Sequence, residues 1–158
     1  MQLVPGLAQN LDWAYYLRQG KAFSAIGAQT AVGGQNSHVQ LWNPAASGVV
    51  LLVYNLTIAT PAAGFVFGGT YNAALTTQNN QGRNLLLGGA NGVCYTRTQS
   101  NAGGLPFNAK MYAVPANTNT LPPLPWICVV PQGQGLTFYH NTVNVELDLE
   151  FTWVEIAP

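Results

Sequence analysis

Near the end of the chain, the run VELDLEF (Val145 to Phe151) places Glu146, Asp148 and Glu150 on alternate residues. The protein carries only five acidic and five basic side chains, so three carboxylates within five positions are a notable concentration. Alternate residues of one strand stand about 6.5–7 Å apart on the same face, a separation that would suit the paired acids of an inverting glycosidase. The same row would welcome a basic protein surface. It would also welcome a hard cation such as Ca²⁺, which takes six to eight oxygens and would need further ligands from a loop or a second chain. The intervening residues decide the matter. Val145, Leu147, Leu149, Phe151 and Trp153 alternate with the acids, so one side of the strand faces a core and the carboxylates face outward. Glu146, Asp148 and Glu150 are therefore expected on an outer face meeting solvent, a partner protein or a cation, and not in an active site.

Other chemistry is sparse. His38 and His140 lie far apart, with no HxH, HExxH or CxxC spacing around them, so no metal site is expected. GxSxG, P-loop and GxGxxG motifs are absent, and LLLGGANG lacks the Lys-Ser/Thr pair of a phosphate cradle. No catalytic residue, cofactor or enzyme activity is expected. Cys94 and Cys128 sit in apolar strand-like runs, where free buried thiols are expected over a bridge.

Charged residues make up 6% of the chain, against roughly 25% for an average soluble domain. Disorder is not the reason, because apolar residues make up 48% and disordered chains combine low hydrophobicity with high charge. A surface largely covered by other protein fits better. Zero net charge and five scattered cations (Arg18, Lys21, Arg83, Arg97, Lys110) argue against nucleic acid as a partner. No apolar run is long enough to span a membrane, and Met1-Gln2-Leu3 opens no signal peptide, so a protein made in the cytoplasm is expected.

The elements that must position these residues fall into two parts. Residues 1–35 read as an N-terminal helix and extended arm. NLDWAYYLRQG (Asn10 to Gly20) is a short helix with Asn10 or Asp12 at its start and Gly20 at its end. It is apolar most of the way round, so it must be covered on more than one side. Leu11, Trp13, Tyr15, Tyr16, Leu17 and, further on, Phe23 are the expected interface residues of the arm, which KAFSAIGAQTAVGGQNS continues as a connector. Residues 36–158 read as one all-β domain, a jelly-roll-like sandwich of about eight short strands, RNLLL (Arg83 to Leu87) among the candidates, separated by Gly- and Pro-rich turns. Within Val49 to Ile58 the even positions are apolar throughout and are expected to face the core. Val49, Leu51 and Val53 make the other face apolar as well, and these three are the expected contact between subunits.

The run SHVQLWNPAASGVVLLVYNLTI, with GTYNAAL, NLLLGGANG, Arg97-Thr98, VPANT and the closing VPQGQGLTFYHNTVNVELDLEFTWVE, resembles small virion structural proteins of tailed bacteriophages. Among these are jelly-roll decoration (cement) proteins. The likeness covers about residues 37–155, and YYLRQGKAF resembles the N-terminal helix and arm that such proteins carry. It implies a homotrimer on the capsid surface that binds the major capsid protein and stabilises neighbouring capsid subunits, with no catalytic residues. The alternative is a receptor- or carbohydrate-binding jelly roll of a head fibre or tail, with a glycan as partner.

Overall fold

The computed structural model describes residues 13–104, 110–120 and 128–158. A helical turn over residues 13–18 precedes twelve strands among the described residues. These are β1 (Ala22–Gln29), β2 (Asn36–Asn43), β3 (Val50–Thr60), β4 (Gly64–Tyr71), β5 (Thr77–Gln81), β6 (Arg83–Asn84), β7 (Tyr95–Asn101), β8 (Lys110–Val114), β9 (Thr118–Thr120), β10 (Cys128–Val130), β11 (Gln134–His140) and β12 (Leu147–Ile156). They form two antiparallel sheets. Sheet A runs β10-β3-β12-β1-β6, with β9 also on β3; sheet B runs β5-β7-β2-β11-β4-β8.

With β9 and β10 counted as one broken strand, first pairs with last in sheet A and second pairs with next-to-last in sheet B. This nested order is that of a two-sheet jelly roll. The expected sandwich of about eight strands is present, and β5, β6 and β7 are additions between β4 and β8 that widen both sheets.

The core lies between the sheets. Phe151 and Trp153 of β12, Leu56 and Ile58 of β3, and Phe23 of β1 meet Val39, Leu41, Leu136 and Phe138 of sheet B. The rings of Phe138 and Phe151 stand 6.1 Å apart across the gap. At Gly27 the sheets approach closely, since a Cβ there would lie 2.5 Å from Val39. A glycine within a strand is the sequence's allowance for such an approach.

Three expectations change here. The segment after the helix is not a connecting arm. Residues 22–29 pair with β12 along their whole length, and Phe23, expected at an arm interface, is buried in the core against Trp153. The jelly roll thus begins near Ala22 and not at 36. In β3, Leu51 and Val53 are core residues at 0% and 1% exposure, and Val49 packs against the same core, so this stripe is interior to one chain and not a trimer contact. The cause is a β-bulge. Thr152 pairs with Asn55 but Trp153 pairs with Val53, which leaves Tyr54 as an extra residue. A bulge reverses the alternation, so Leu51 and Val53 face inward before it and Leu56 and Ile58 after it. Val50, Leu52 and Tyr54, expected inside, are only half-buried. Finally, of the expected strand RNLLL only Arg83–Asn84 is paired; the leucines form a turn.

The helical turn ends as its Gly20 suggested. Gly20 has φ +64°, and the amides of Gly20 and Lys21 bond back to the carbonyls of Leu17 and Tyr16. Its Trp13 ring lies 4.9 Å from Tyr54, which places the turn against β3. Ala22 and Val154 pair on the outward side of sheet A yet are fully buried. Leu11 lies outside the described residues.

Candidate functional site

The outer face of sheet A gathers most of what could act on another molecule. On β12 the alternation holds as expected: Val145, Leu147, Leu149, Phe151 and Trp153 are buried, while Glu146 and Asp148 are half-buried and Glu150 is exposed. Glu146 and Asp148 line a hollow of about 370 Å³ with Thr60, Pro61 and the turn Asn117–Asn119, a turn that Asn117 shapes by adopting φ +54°. Asp148 and Glu150 share the next hollow with Ile26, Thr57 and Asn119. Glu150 then borders a third, of about 390 Å³, with Ser24, Ile26, Asn80, Arg83 and Leu85. The Ser24 hydroxyl donates to Glu150 Oε1 at 3.4 Å.

The acids are spread along the strand and do not converge. Among the described residues, no three His, Cys, Asp or Glu side chains are grouped so as to hold a metal ion. Asp148 is the most perturbed of the row. Its Oδ1 is shielded from water without a hydrogen-bond partner, and burial, with the nearby Glu146 charge adding to it, raises its pKa above the ordinary 3.8. A raised folded-state pKa means that ionisation costs the fold stability. The cost appears as pH rises from about 3.8 and is complete above the folded value. Asp148→Asn is therefore expected to raise Tm at neutral pH and to confer no advantage below the ordinary carboxylate pKa. Thermal unfolding across this range, at high ionic strength to screen contacts between molecules, checks it. An Asn variant that melts at or below wild type at pH 7 would show that burial of this charge is not felt.

Beside the third hollow, which Arg83 and Leu85 line, stands an apolar and basic region. Leu85, Leu86 and Leu87 are all exposed, Leu87 at 101%, yet the backbone carrying them is tightly held. The Asn84 amide donates to the carbonyls of Gly20 (2.7 Å) and Ala90 (2.9 Å), and its oxygen accepts from the Leu86 amide. Leu85 N–H bonds to Ala22 O and Gly89 N–H to Leu86 O. Arg18, Lys21, Arg83 and Val93 are exposed around this turn, as is Tyr15 of the helix; Tyr16 and Leu17 are half-buried. Of the residues expected at an arm interface, the structure thus leaves Tyr15 outward, Trp13 seated on Tyr54 and Phe23 in the core.

Sequence reading passed over Glu155. It is buried, and its carboxylate accepts from the amides of Cys94 (3.1 Å) and Val93 (3.2 Å) and from the Trp153 indole (3.3 Å). One carboxylate thereby pins the end of the 82–94 segment, which carries the leucine turn, to the last strand. The signal was present, because the inward alternation of Leu147 to Trp153 reaches Glu155 at its next step.

The remaining candidates are structural. His38 and His140 are fully buried, and burial holds both pKa values below the ordinary 6.5. His38 stacks on Tyr139, which stacks in turn on Phe67. Cys94 is buried and Cys128 half-buried, and both are free thiols. Burial pushes both thiols up, which makes them unreactive at neutral pH. Compared with protein-family models, curated proteins and solved structures, the chain matches none.

Proposed function

We propose that this protein is a virion structural protein that decorates an assembled phage capsid as a homotrimer, reinforcing contacts between neighbouring subunits of the major capsid protein. The observation that carries the reading is the rigidly held turn Leu85–Leu87. Three consecutive leucines are displayed to solvent on a hydrogen-bonded platform, in a chain with 6% charged residues. An ordered apolar display of this kind marks a protein-binding surface. The pattern likeness over residues 37–155 supplies the virion part of the reading, and the jelly-roll body agrees with it. Linking three modest contacts in a trimer raises avidity without any new contact, and binding only the assembled shell stabilises that shell by mass action.

The test is electron microscopy and thermal melting of capsids formed from the same virus's major capsid protein, with and without this protein added. Ordered density at three-fold positions and a higher capsid melting temperature are expected. Capsids that gain neither reject the reading. A deletion of residues 1–19, which spares β1, should weaken capsid binding if the helical turn anchors the protein; equal decoration by the truncated chain would assign it another role. The strand Thr77–Gln81 is polar and exposed along its whole length, which keeps carbohydrate binding as a second reading. Selective binding to one saccharide class on a glycan array would favour it over decoration.

A further inference from the structure

His140 closes β11, and its side chain is fully buried. The Thr142 amide donates to its Nδ1 at 3.1 Å. An amide N–H bonds only to a ring nitrogen with a free lone pair, so the neutral ring holds its proton on Nε2. Nε2 itself is closed off from water and has no hydrogen-bond partner. The ring has little room to turn away, because a Cβ at Gly64 would lie 2.7 Å from it.

A second proton has one place to go, Nδ1. Protonation there sets two N–H groups against each other and puts a charge inside the fold. No carboxylate offsets that charge. The polar groups around the ring are the backbone of Ala62 and Thr142 and the neutral Asn141 side chain, while its own carbonyl accepts from the Asn36 amide. The titratable group linked to it is His38, itself buried, whose Nδ1 meets the carbonyl of the same Asn36. The turn that the ring supports is a junction. Asn141 N–H bonds to Phe65 O, and its Oδ1 accepts from Phe65 N–H at 3.0 Å. Asn144, at φ +60°, donates to Gln35 O and accepts from Gly34 N–H at 2.6 Å. Residues 141–144 thus tie the entry to β2 and the start of β4 to the head of the acidic row at Glu146.

We propose that residues 140–144 form an acid-released latch: a proton on His140 Nδ1 expels the Thr142 amide and opens the turn while the two sheets stay paired. The latch does not depend on the decoration reading. In the open turn the ring is hydrated and titrates near the ordinary 6.5, whereas burial holds the folded value lower. Between those two values the open form binds more protons. The opening equilibrium is therefore flat above the ordinary value, rises by up to about tenfold for each pH unit below it, and levels off beneath the folded value.

The experiment is amide hydrogen exchange followed by NMR on the full-length protein, from neutral pH into the acid range, with each rate divided by the intrinsic rate at that pH. Opening at Asn141, Thr142 and Asn144 is expected to increase as pH falls, and to need less free energy than opening at Leu41 and Leu149 within the sheets. H140N keeps an oxygen to accept from Thr142 and takes no charge, so its turn should open equally at every pH. H38F keeps a ring to stack on Tyr139 and should retain the wild-type pH dependence. The ring nitrogen shifts of the wild type report the tautomer without any variant and decide the matter, with the wild-type rates, if H140N does not fold. Turn amides whose opening is flat with pH overturn the proposal, as does a neutral ring with its proton on Nδ1. So does an H140N turn that still opens in acid, or a turn that opens only together with the sheets.

Discussion

Glu155→Ala is expected to lose about 3–5 kcal/mol of stability, an effect out of proportion to one side chain near the end of the chain. The carboxylate accepts three hydrogen bonds, from the amides of Val93 and Cys94 and from the Trp153 indole. Truncation leaves three donors without acceptors in a region nearly closed to water, and each such orphan costs roughly 1–3 kcal/mol. Glu155→Gln keeps one acceptor oxygen but turns an amide NH₂ toward backbone N–H groups, so it should fall between alanine and wild type. Chemical denaturation gives the magnitude and hydrogen exchange gives the place. Protection should fall first at Gly82, Gly92 and Cys94, whose amides close the base of the segment. A loss below about 1 kcal/mol, the worth of a single ordinary hydrogen bond, would mean that water replaces the carboxylate. The consequence for function is direct. Once its base is released the leucine turn is no longer held, and a variant that still folds should decorate capsids poorly.

Trp153→Ala should cost a further large sum, about 3–5 kcal/mol as for other buried aromatics. Its ring is fully buried, lies 6.1 Å from that of Phe23 and fills the space beside Gly82, where a Cβ would come within 2.4 Å of the indole. The last strand, the first strand and the inserted segment meet on this one side chain. Trp153→Phe retains most of the area but not the indole donor and is expected to lose roughly half as much; it is the variant to measure if the alanine form does not fold. Because the indole donates to Glu155, the Trp153 and Glu155 effects should not add. The double variant should be more stable than the sum of the single losses implies, by roughly 0.5–3 kcal/mol. Strict additivity in a double-mutant cycle would mean that the indole–carboxylate contact contributes nothing.

How much of this was legible depends on whether the signal was local. The β12 face could be read because five large apolar side chains alternate with polar ones, and such contrast admits one strand orientation. The helix end could be read because Gly20 is suited to the left-handed conformation it adopts. β1 was missed for the converse reason. Its inward residues after Phe23 are Ala25 and Gly27, too small to contrast with their neighbours, and their smallness has meaning only beside Val39 of the opposite sheet. The leucines after Asn84 read as a strand because their apolar character is local, whereas the Asn84 bonds that hold them in a turn reach back to Gly20.

The sequence by itself determined the all-β class, the inward and outward sides of the last strand and the helix end at Gly20. Each is a property of composition or of side chains a few residues apart. Only the tertiary structure decided which face of β3 is core, since the bulge at Tyr54 is defined by the register against β12. Only it turned Glu155 from one more acid into the pin of a distant segment, and brought Arg83 to the same hollow as Glu150. Those outcomes depend on pairings between residues 61 or more positions apart, and no local pattern encodes them.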